Sequence, residues 1–203
     1  MKIAIIGAAG NVGQRIVREA LSRGHEVTAL GPNRDRLEAL GATKVAVADI
    51  TDPAALTSEL SGHDVVASAV RFVRFEPEAL LEAVRVAGVS RLAIVGGAGS
   101  LRSPAGGLVA DGPNFPEVAK AEAAAGKRLL DRLQTETAID WTFLSPAAVF
   151  TAGERTGAFR LGDDDLLIGA DGKSAISFED FAIGFLDEIE NPAHSRRRFT
   201  IGY

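Results

Sequence analysis

The chain predicts an α/β fold, a doubly wound parallel sheet finished by a small C-terminal hairpin-helix cap, and three observations carry that prediction. Short β-type runs alternate with helical patterns through the first three-quarters of the 203 residues, as a parallel sheet covered on both faces requires. The apolar run Ile3-Ala4-Ile5-Ile6 passes through Gly7, Gly10 and Gly13 straight into a helical pattern. Beyond Thr151 the alternation gives way to a hairpin pattern and one more helix.

Strands are expected at Lys2–Ile6, His25–Leu30, Lys44–Ala48, Val65–Ala69, Arg91–Val95 and Asp140–Leu144, apolar runs bounded by turn signals. Helices are expected near Asn11–Arg23, Arg34–Leu40, Pro53–Leu60, Glu76–Ala87 and Val118–Gln134. Thr51-Asp52-Pro53 opens the third of these well, because a capping side chain accepts an orphan N–H and proline fits the first turn. Right-handed crossovers then leave a ligand crevice at the carboxyl ends of the strands. The stretch from Gly96 to Pro116, rich in Gly and Pro, is too long for an ordinary strand-to-helix connection and predicts a lid or binding loop. Farther on, Ala158–Leu161 and Leu166–Ile168, joined by Gly162 to Asp165, predict a β-hairpin. Ser177 with Asp180 predicts a capping box that opens a helix from Phe178 to Glu190. One domain spanning 1–203 is expected, with 151–203 as a small segment on its substrate side.

The composition, 46% hydrophobic and 24% charged, is that of a globular domain long enough to bury a core. A net charge of −5 without a basic face argues against nucleic acid, and Arg196-Arg197-Arg198 precedes the β-like ending Phe199–Tyr203 as a solvated strand entrance. There is no cysteine, which removes disulfides, thiolate metal sites and cysteine nucleophiles and suits a reducing cytoplasm. A core strand beginning at Lys2 leaves no place for a cleavable leader, and no apolar run spans a bilayer; a cytoplasmic protein without membrane contact is expected. His25, His63 and His194 stand apart, so no metal site is expected. No Gly-x-Ser-x-Gly elbow suggests a serine hydrolase, and Asp163-Asp164-Asp165 lacks the ligand alternation of a calcium loop and fits a polar turn.

The glycine turn carries chemistry. A strand running through glycines into a helix brings backbone N–H groups and the positive end of the helix dipole to a phosphate, so Gly7, Ala9, Gly10, Asn11, Val12 and Gly13 are candidates for a dinucleotide's diphosphate. Where many NAD sites place an acid for the ribose, this chain has Leu30-Gly31-Pro32-Asn33-Arg34. Asn33 and Arg34 either receive a 2′-phosphate, which favours NADP with NAD still open, or Arg34 is a solvated residue in a first helical turn. Asp49, followed by Ile50, either accepts from an adenine amino group or belongs to the turn ahead of the Asp52 cap. Ser68, Ala69 and Val70 offer small groups where a cofactor would lie against the sheet. The following run Arg71-Phe72-Val73-Arg74-Phe75 either stacks on a planar ring or anchors its loop to the core.

From the glycine motif through Ala48–Pro53 and Val95-Gly96-Gly97-Ala98-Gly99-Ser100-Leu101 to Asp140-Trp141-Thr142-Phe143-Leu144-Ser145-Pro146, the chain resembles an atypical short-chain dehydrogenase/reductase of the NAD(P)-binding Rossmann class. More narrowly, Gly153-Glu154-Arg155-Thr156-Gly157, Ile176–Ala182 and Arg198-Phe199-Thr200 resemble the NADH-flavin reductases, distantly similar to biliverdin reductase B. The resemblance implies that Gly96 and Gly97 bind the cofactor and that Pro146, Ala147 and Ala148 line the nicotinamide pocket with small groups. It also implies a catalytic tyrosine and, one helical turn later, a lysine; counting back from Asp140 puts the lysine at Lys127 and the tyrosine at Ala123. The acid is missing, and the one tyrosine, Tyr203, ends the chain in a packing or hydrogen-bonding role. Lys127 either holds the cofactor ribose or is solvated, with Lys120 as a helper from the loop. Ser100 either hydrogen-bonds the acceptor or caps its loop. Phe72, Arg74, Leu101 and Phe115 are the side chains expected against substrate. The expected activity is NAD(P)H-dependent reduction of a free flavin or quinone-like acceptor, the flavin being substrate and not tightly bound, in a monomer or homodimer; a non-catalytic NADP(H) sensor is the other reading.

Overall fold

The computed structural model describes residues 1–203. Ten strands and six helices follow in chain order: β1 Lys2–Ile6, α1 Gly13–Ser22, β2 Glu26–Gly31, α2 Arg34–Glu38, β3 Lys44–Val47, α3 Pro53–Leu60, β4 Val65–Ser68, α4 Pro77–Val86, β5 Arg91–Val95, α5 Glu117–Leu133, β6 Asp140–Pro146, β7 Val149–Thr151, β8 Arg160–Gly162, β9 Ala175–Ser177, α6 Phe178–Glu190 and β10 Arg197–Gly202. The main sheet runs β3-β2-β1-β4-β5-β6-β10-β8, parallel throughout except for β8, and β7 pairs with β9 in parallel beside it. The chain winds outward from β1 to β3, then returns to β4 at β1's other side and winds the opposite way. Its crevice therefore opens where β1 and β4 end.

Side-chain alternation builds two cores. Ala4, Ile6, Val66, Leu92, Ile94, Trp141 and Phe143 meet α3, α4 and α5 on one face. Ile3, Ile5, Val65, Ala67, Ala93, Leu144, Phe199 and Ile201 meet α1, α2 and α6 on the other. Strands buried on both faces explain why β1, β4 and β5 show as unbroken apolar runs. Local signals hold where they are strongest: Asp52 caps α3 by accepting from the Ala55 N–H at 3.1 Å, with Pro53 in the first turn. No helix is long and apolar enough to cross a membrane.

The C-terminal region corrects one expectation. Leu166–Ile168 does not pair with β8; the partner of β8 is β10, in antiparallel register Ile201 to Leu161. The acidic turn between them is drawn away by two arginines. Arg198 on β10 donates to Asp164 at 2.6 Å, Arg102 forks onto both oxygens of Asp165 at 2.8 and 3.0 Å, and the Leu166 N–H donates to the Arg102 carbonyl at 3.0 Å. Asp163–Asp165 is therefore a clasp on the loop after β5. The capping box is also half formed: Ser177 accepts from the Asp180 N–H at 2.9 Å, but the Ser177 N–H goes to the Tyr203 hydroxyl at 3.2 Å. The Asp180 carboxylate is used instead by Thr156, Gly157 and Tyr203.

Candidate functional site

The turn after β1 is shaped by what a side chain would strike. Gly7 has φ +79°, and a Cβ there would lie 2.8 Å from the Ala69 carbonyl oxygen at the end of β4. A Cβ on Gly13 would lie 2.2 Å from the Gly7 carbonyl, so α1 starts tight against the strand that precedes it. The N–H groups of Gly7 and Ala8 are held by the Leu30 carbonyl, and that of Gly10 by Gly7. Val12 caps α1 without a side-chain hydrogen bond, and the N–H groups of Asn11, Val12 and Gly13 have no acceptor in the protein. Unpaired donors at the positive end of a ten-residue helix suit an anion, so the turn fits a dinucleotide's diphosphate.

Beside this turn the sequence-predicted residues take unequal positions. The Asn33 carboxamide caps α2 by accepting from the Arg36 N–H at 3.0 Å, and Arg34 is exposed against Glu38 at 3.4 Å. Arg36 is the cation over the glycine turn: its guanidinium donates to the Ala9 carbonyl at 2.8 Å. Asp49 accepts from the Thr51 N–H at 2.9 Å and hydroxyl at 2.8 Å, and these bonds, the backbone one first, hold its carboxyl below the usual range. Ile50 is buried in the core. Ser68 ends β4 in register with Ile6, the Ala69 N–H donates to the Ile6 carbonyl at 2.9 Å, and Val70 lies beside Gly7.

Farther along the same edge, a cavity of about 230 Å³ lies between α5 and the turns that follow β4 and β5. Phe72, Phe115 and Phe143 supply flat walls, Gly97, Ser100 and Ala148 line its strand side, and Glu122, Ala123 and Lys127 face it from α5. Two glycines let α5 come this close: a Cβ on Gly126 would meet the Phe72 ring at 2.7 Å, and one on Gly99 would meet the Ala123 Cβ at 2.7 Å. Glu122 fixes the turn carrying Phe72 by accepting from the Phe72 N–H at 2.7 Å and the Val73 N–H at 3.3 Å. Phe72 both lines the cavity and stacks on Phe143, ring centroids 5.8 Å apart, so cavity wall and core anchor are one side chain. Ser100 is buried, and Arg198, itself held by Asp164, donates to its carbonyl at 3.0 Å and its hydroxyl at 3.3 Å. With that oxygen accepting, the serine proton is free to point elsewhere. Lys127 pairs with Asp131 at 2.7 Å and remains half exposed.

Other expected contacts are not brought together here. Leu101 has no exposed surface and reaches no ligand from its place beneath the loop. Arg74 points out to solvent from the turn Phe72–Arg74 and lies outside the cavity lining. Pro146 and Ala147 are covered by β10, the Ala147 N–H donating to the Ile201 carbonyl at 3.0 Å, and of the three expected wall residues at the end of β6 only Ala148 lines the cavity. Tyr203 lies away from the cavity, its hydroxyl donating to Asp180 at 2.8 Å; burial, the first cause, pushes its pKa up. Arg36, Glu122, Gly126 and Arg198 were missed by sequence reasoning. For Arg36 a signal existed in its place in the first turn of α2; the others act across elements distant in sequence.

Residues 7–192 match the NAD(P)H-binding family. The protein YwnB of Bacillus subtilis, which carries no assigned activity, is 40% identical over 99% of this chain and 98% of its own. A solved structure from Bacteroides thetaiotaomicron, provisionally called an epimerase, is 40% identical with a TM-score of 0.92, covering 100% of this chain and 96% of that one. Another from Streptococcus pneumoniae, provisionally called an NADH-flavin reductase, is 34% identical with a TM-score of 0.82, covering 100% and 99%. The chain belongs to the NAD(P)H-binding family, with the Rossmann fold of the atypical short-chain dehydrogenases/reductases.

Proposed function

We propose that this member of the NAD(P)H-binding family reduces a flat acceptor that stabilises its own charge, a free flavin or a quinone, taken up as a substrate. The observation that carries this reading is Ala123 facing the cavity from α5, with no ionisable acid in its place, between the flat walls of Phe72 and Phe115. An epimerase or carbonyl reductase must deliver a proton to, or withdraw one from, the oxygen on the carbon that exchanges hydride, and this cavity has no tyrosine to do so. Bound with its diphosphate on Asn11, Val12 and Gly13, the reduced dinucleotide supplies a hydride, the chemistry that belongs to the cofactor and not to the protein.

The chain's own residues orient and shield. Phe72 and Phe115 hold a planar ring, the Ser100 hydroxyl donates to it, and the apolar wall excludes water. Lys127 is the candidate for the ribose, swinging from Asp131. Arg36, with Arg34 beside it in the same turn, is placed for a 2′-phosphate, which favours NADP over NAD. The Streptococcus relative's designation as a flavin reductase supports the acceptor class.

The test is to mix the purified protein with NADPH or NADH, offer riboflavin, FMN and a quinone, and follow nicotinamide absorbance. Turnover of at least one flat acceptor is expected. Tight cofactor binding without turnover of any of them would replace this reading with that of a nucleotide sensor.

A further inference from the structure

The geometry points to a second chamber for the acceptor's tail, selective for a tail without phosphate; this rests on the proposed flavin or quinone reduction and narrows its substrate. The chamber, about 670 Å³, is formed by the loop after β5 and adjoins the aromatic cavity, the two sharing Ala98, Phe115, Pro116 and Ala148 in their walls. A ring seated in the first cavity would thus extend its substituent past Phe115 into the second.

The lining chooses the chemistry of that substituent. Ser103, Asn114 and the glycine backbone at Gly106 and Gly112 offer neutral hydrogen-bonding groups among alanine, valine and proline carbons, while the one charged side chain is the carboxylate of Asp111. No cation lines the chamber. Arg102, beside Ser103 in the chain, is forked onto Asp165, and Lys127 in the adjoining cavity is paired with Asp131. A phosphate dianion placed here would find no cation and face a carboxylate. The glycine turn is its opposite, with unpaired N–H groups at Asn11, Val12 and Gly13 and the guanidinium of Arg36. One edge of the sheet thus attracts phosphate at the turn and repels it at the chamber, which orients the two ligands and keeps the acceptor's end from being filled by a second nucleotide. The class of acceptor that fits is a planar redox ring with an uncharged tail, hydroxylated as in riboflavin or hydrocarbon as in a prenylated quinone.

The experiment compares riboflavin with FMN, which differ by the tail phosphate. With NADPH saturating, kcat/KM for riboflavin should exceed that for FMN by about tenfold at low salt, as close like charges in a partly wet site imply. The ratio should shrink as salt is raised, because screening acts on charge repulsion and not on fit. Asp111→Lys should bring FMN level with riboflavin, and Asp111→Asn should move it part of the way. Flavin binding is also followed by fluorescence quenching in the presence of NADP⁺, so the selectivity is read even without turnover. FMN and riboflavin equal in affinity, or a preference unmoved by salt and by Asp111→Lys, would overturn the chamber's selectivity while leaving flavin reduction in place. Failure to turn over any acceptor, with riboflavin still bound in preference to FMN, would overturn the reductase reading and leave the chamber.

Discussion

The turn after β1 and the loop after β5 are both rich in glycine and both sit at the carboxyl edge of one sheet, yet their glycines do different work. At Gly7 and Gly13 the missing side chains let main chain touch main chain, Ala69 in one case and Gly7 itself in the other, and the result is a row of unpaired N–H donors. At Gly99, and at Gly126 on the facing helix, the missing side chains let α5 bring Ala123 against the loop after β5 and its own backbone against the Phe72 ring, and the result is a cavity whose walls are side chains. Recognition by backbone is local and indifferent to distant sequence. Recognition by side chains depends on three elements meeting, with Arg198 of β10 tying Ser100 to the acidic clasp.

The comparison breaks most sharply under Gly13→Ala. The added carbon cannot coexist with the Gly7 carbonyl, overpacking of this kind costs about 1–3 kcal/mol, and NADPH affinity should fall by up to about a hundredfold in a fluorescence titration. Gly99→Ala should instead raise the acceptor KM and leave the NADPH dissociation constant within about twofold, because the clash is with the Ala123 methyl at the other end. If both variants lose nucleotide equally, the two ends are one site.

Arg36→Ala should weaken NADPH by about tenfold, the worth of a charge-assisted hydrogen bond to phosphate, and leave NADH nearly unchanged. Arg34→Ala, an exposed residue paired with Glu38, should change either by less than about threefold. Equal losses for NADPH and NADH in Arg36→Ala would remove the 2′-phosphate role.

A test away from both ends uses Asp180. Burial opposes its ionisation, yet hydrogen bonds from Thr156, Gly157 and Tyr203 outweigh it and hold its pKa below the ordinary value. A carboxylate depressed on folding contributes stability above its unfolded pKa of about 3.9, and that contribution is lost as pH falls through the folded pKa. Asp180→Asn should cost about 1–3 kcal/mol near neutral pH in urea unfolding, with the gap to the parent closing in the acid range below the unfolded pKa. A gap that is constant with pH would deny the charge a role. A small effect is expected for Lys127→Ala, which removes a half-exposed lysine and should raise the NADPH dissociation constant by about threefold.

Much of the fold was legible because its signals are short-range. Ile3 to Ile6 followed by spaced glycines, and Asp52 ahead of Pro53, each declare an element within a few residues, and β1, β5 and α3 fall where expected. The Ala158–Ile168 hairpin was not legible correctly. Alternation and an acidic turn do suit a hairpin, but the partners that redirect the turn, Arg102 and Arg198, lie far away in sequence. Leu101 and Ala147 were placed in the site for sitting next to the right motifs, and adjacency in sequence does not reveal which way a side chain points once β10 covers that strand.

By itself the sequence determined the order of strands and helices as far as β6, the glycine turn after β1 and the absence of a tyrosine from α5, because each of these is written in neighbouring residues and in backbone stereochemistry. The tertiary structure alone decided that Arg36 and not Arg34 stands over the turn, that Phe72 is wall and anchor together, that Arg198 fixes Ser100, and that the loop after β5 borders an open chamber without a cation. Those are contacts between elements far apart along the chain, and only the closure of the sheet and the seating of α5 against it bring them within reach.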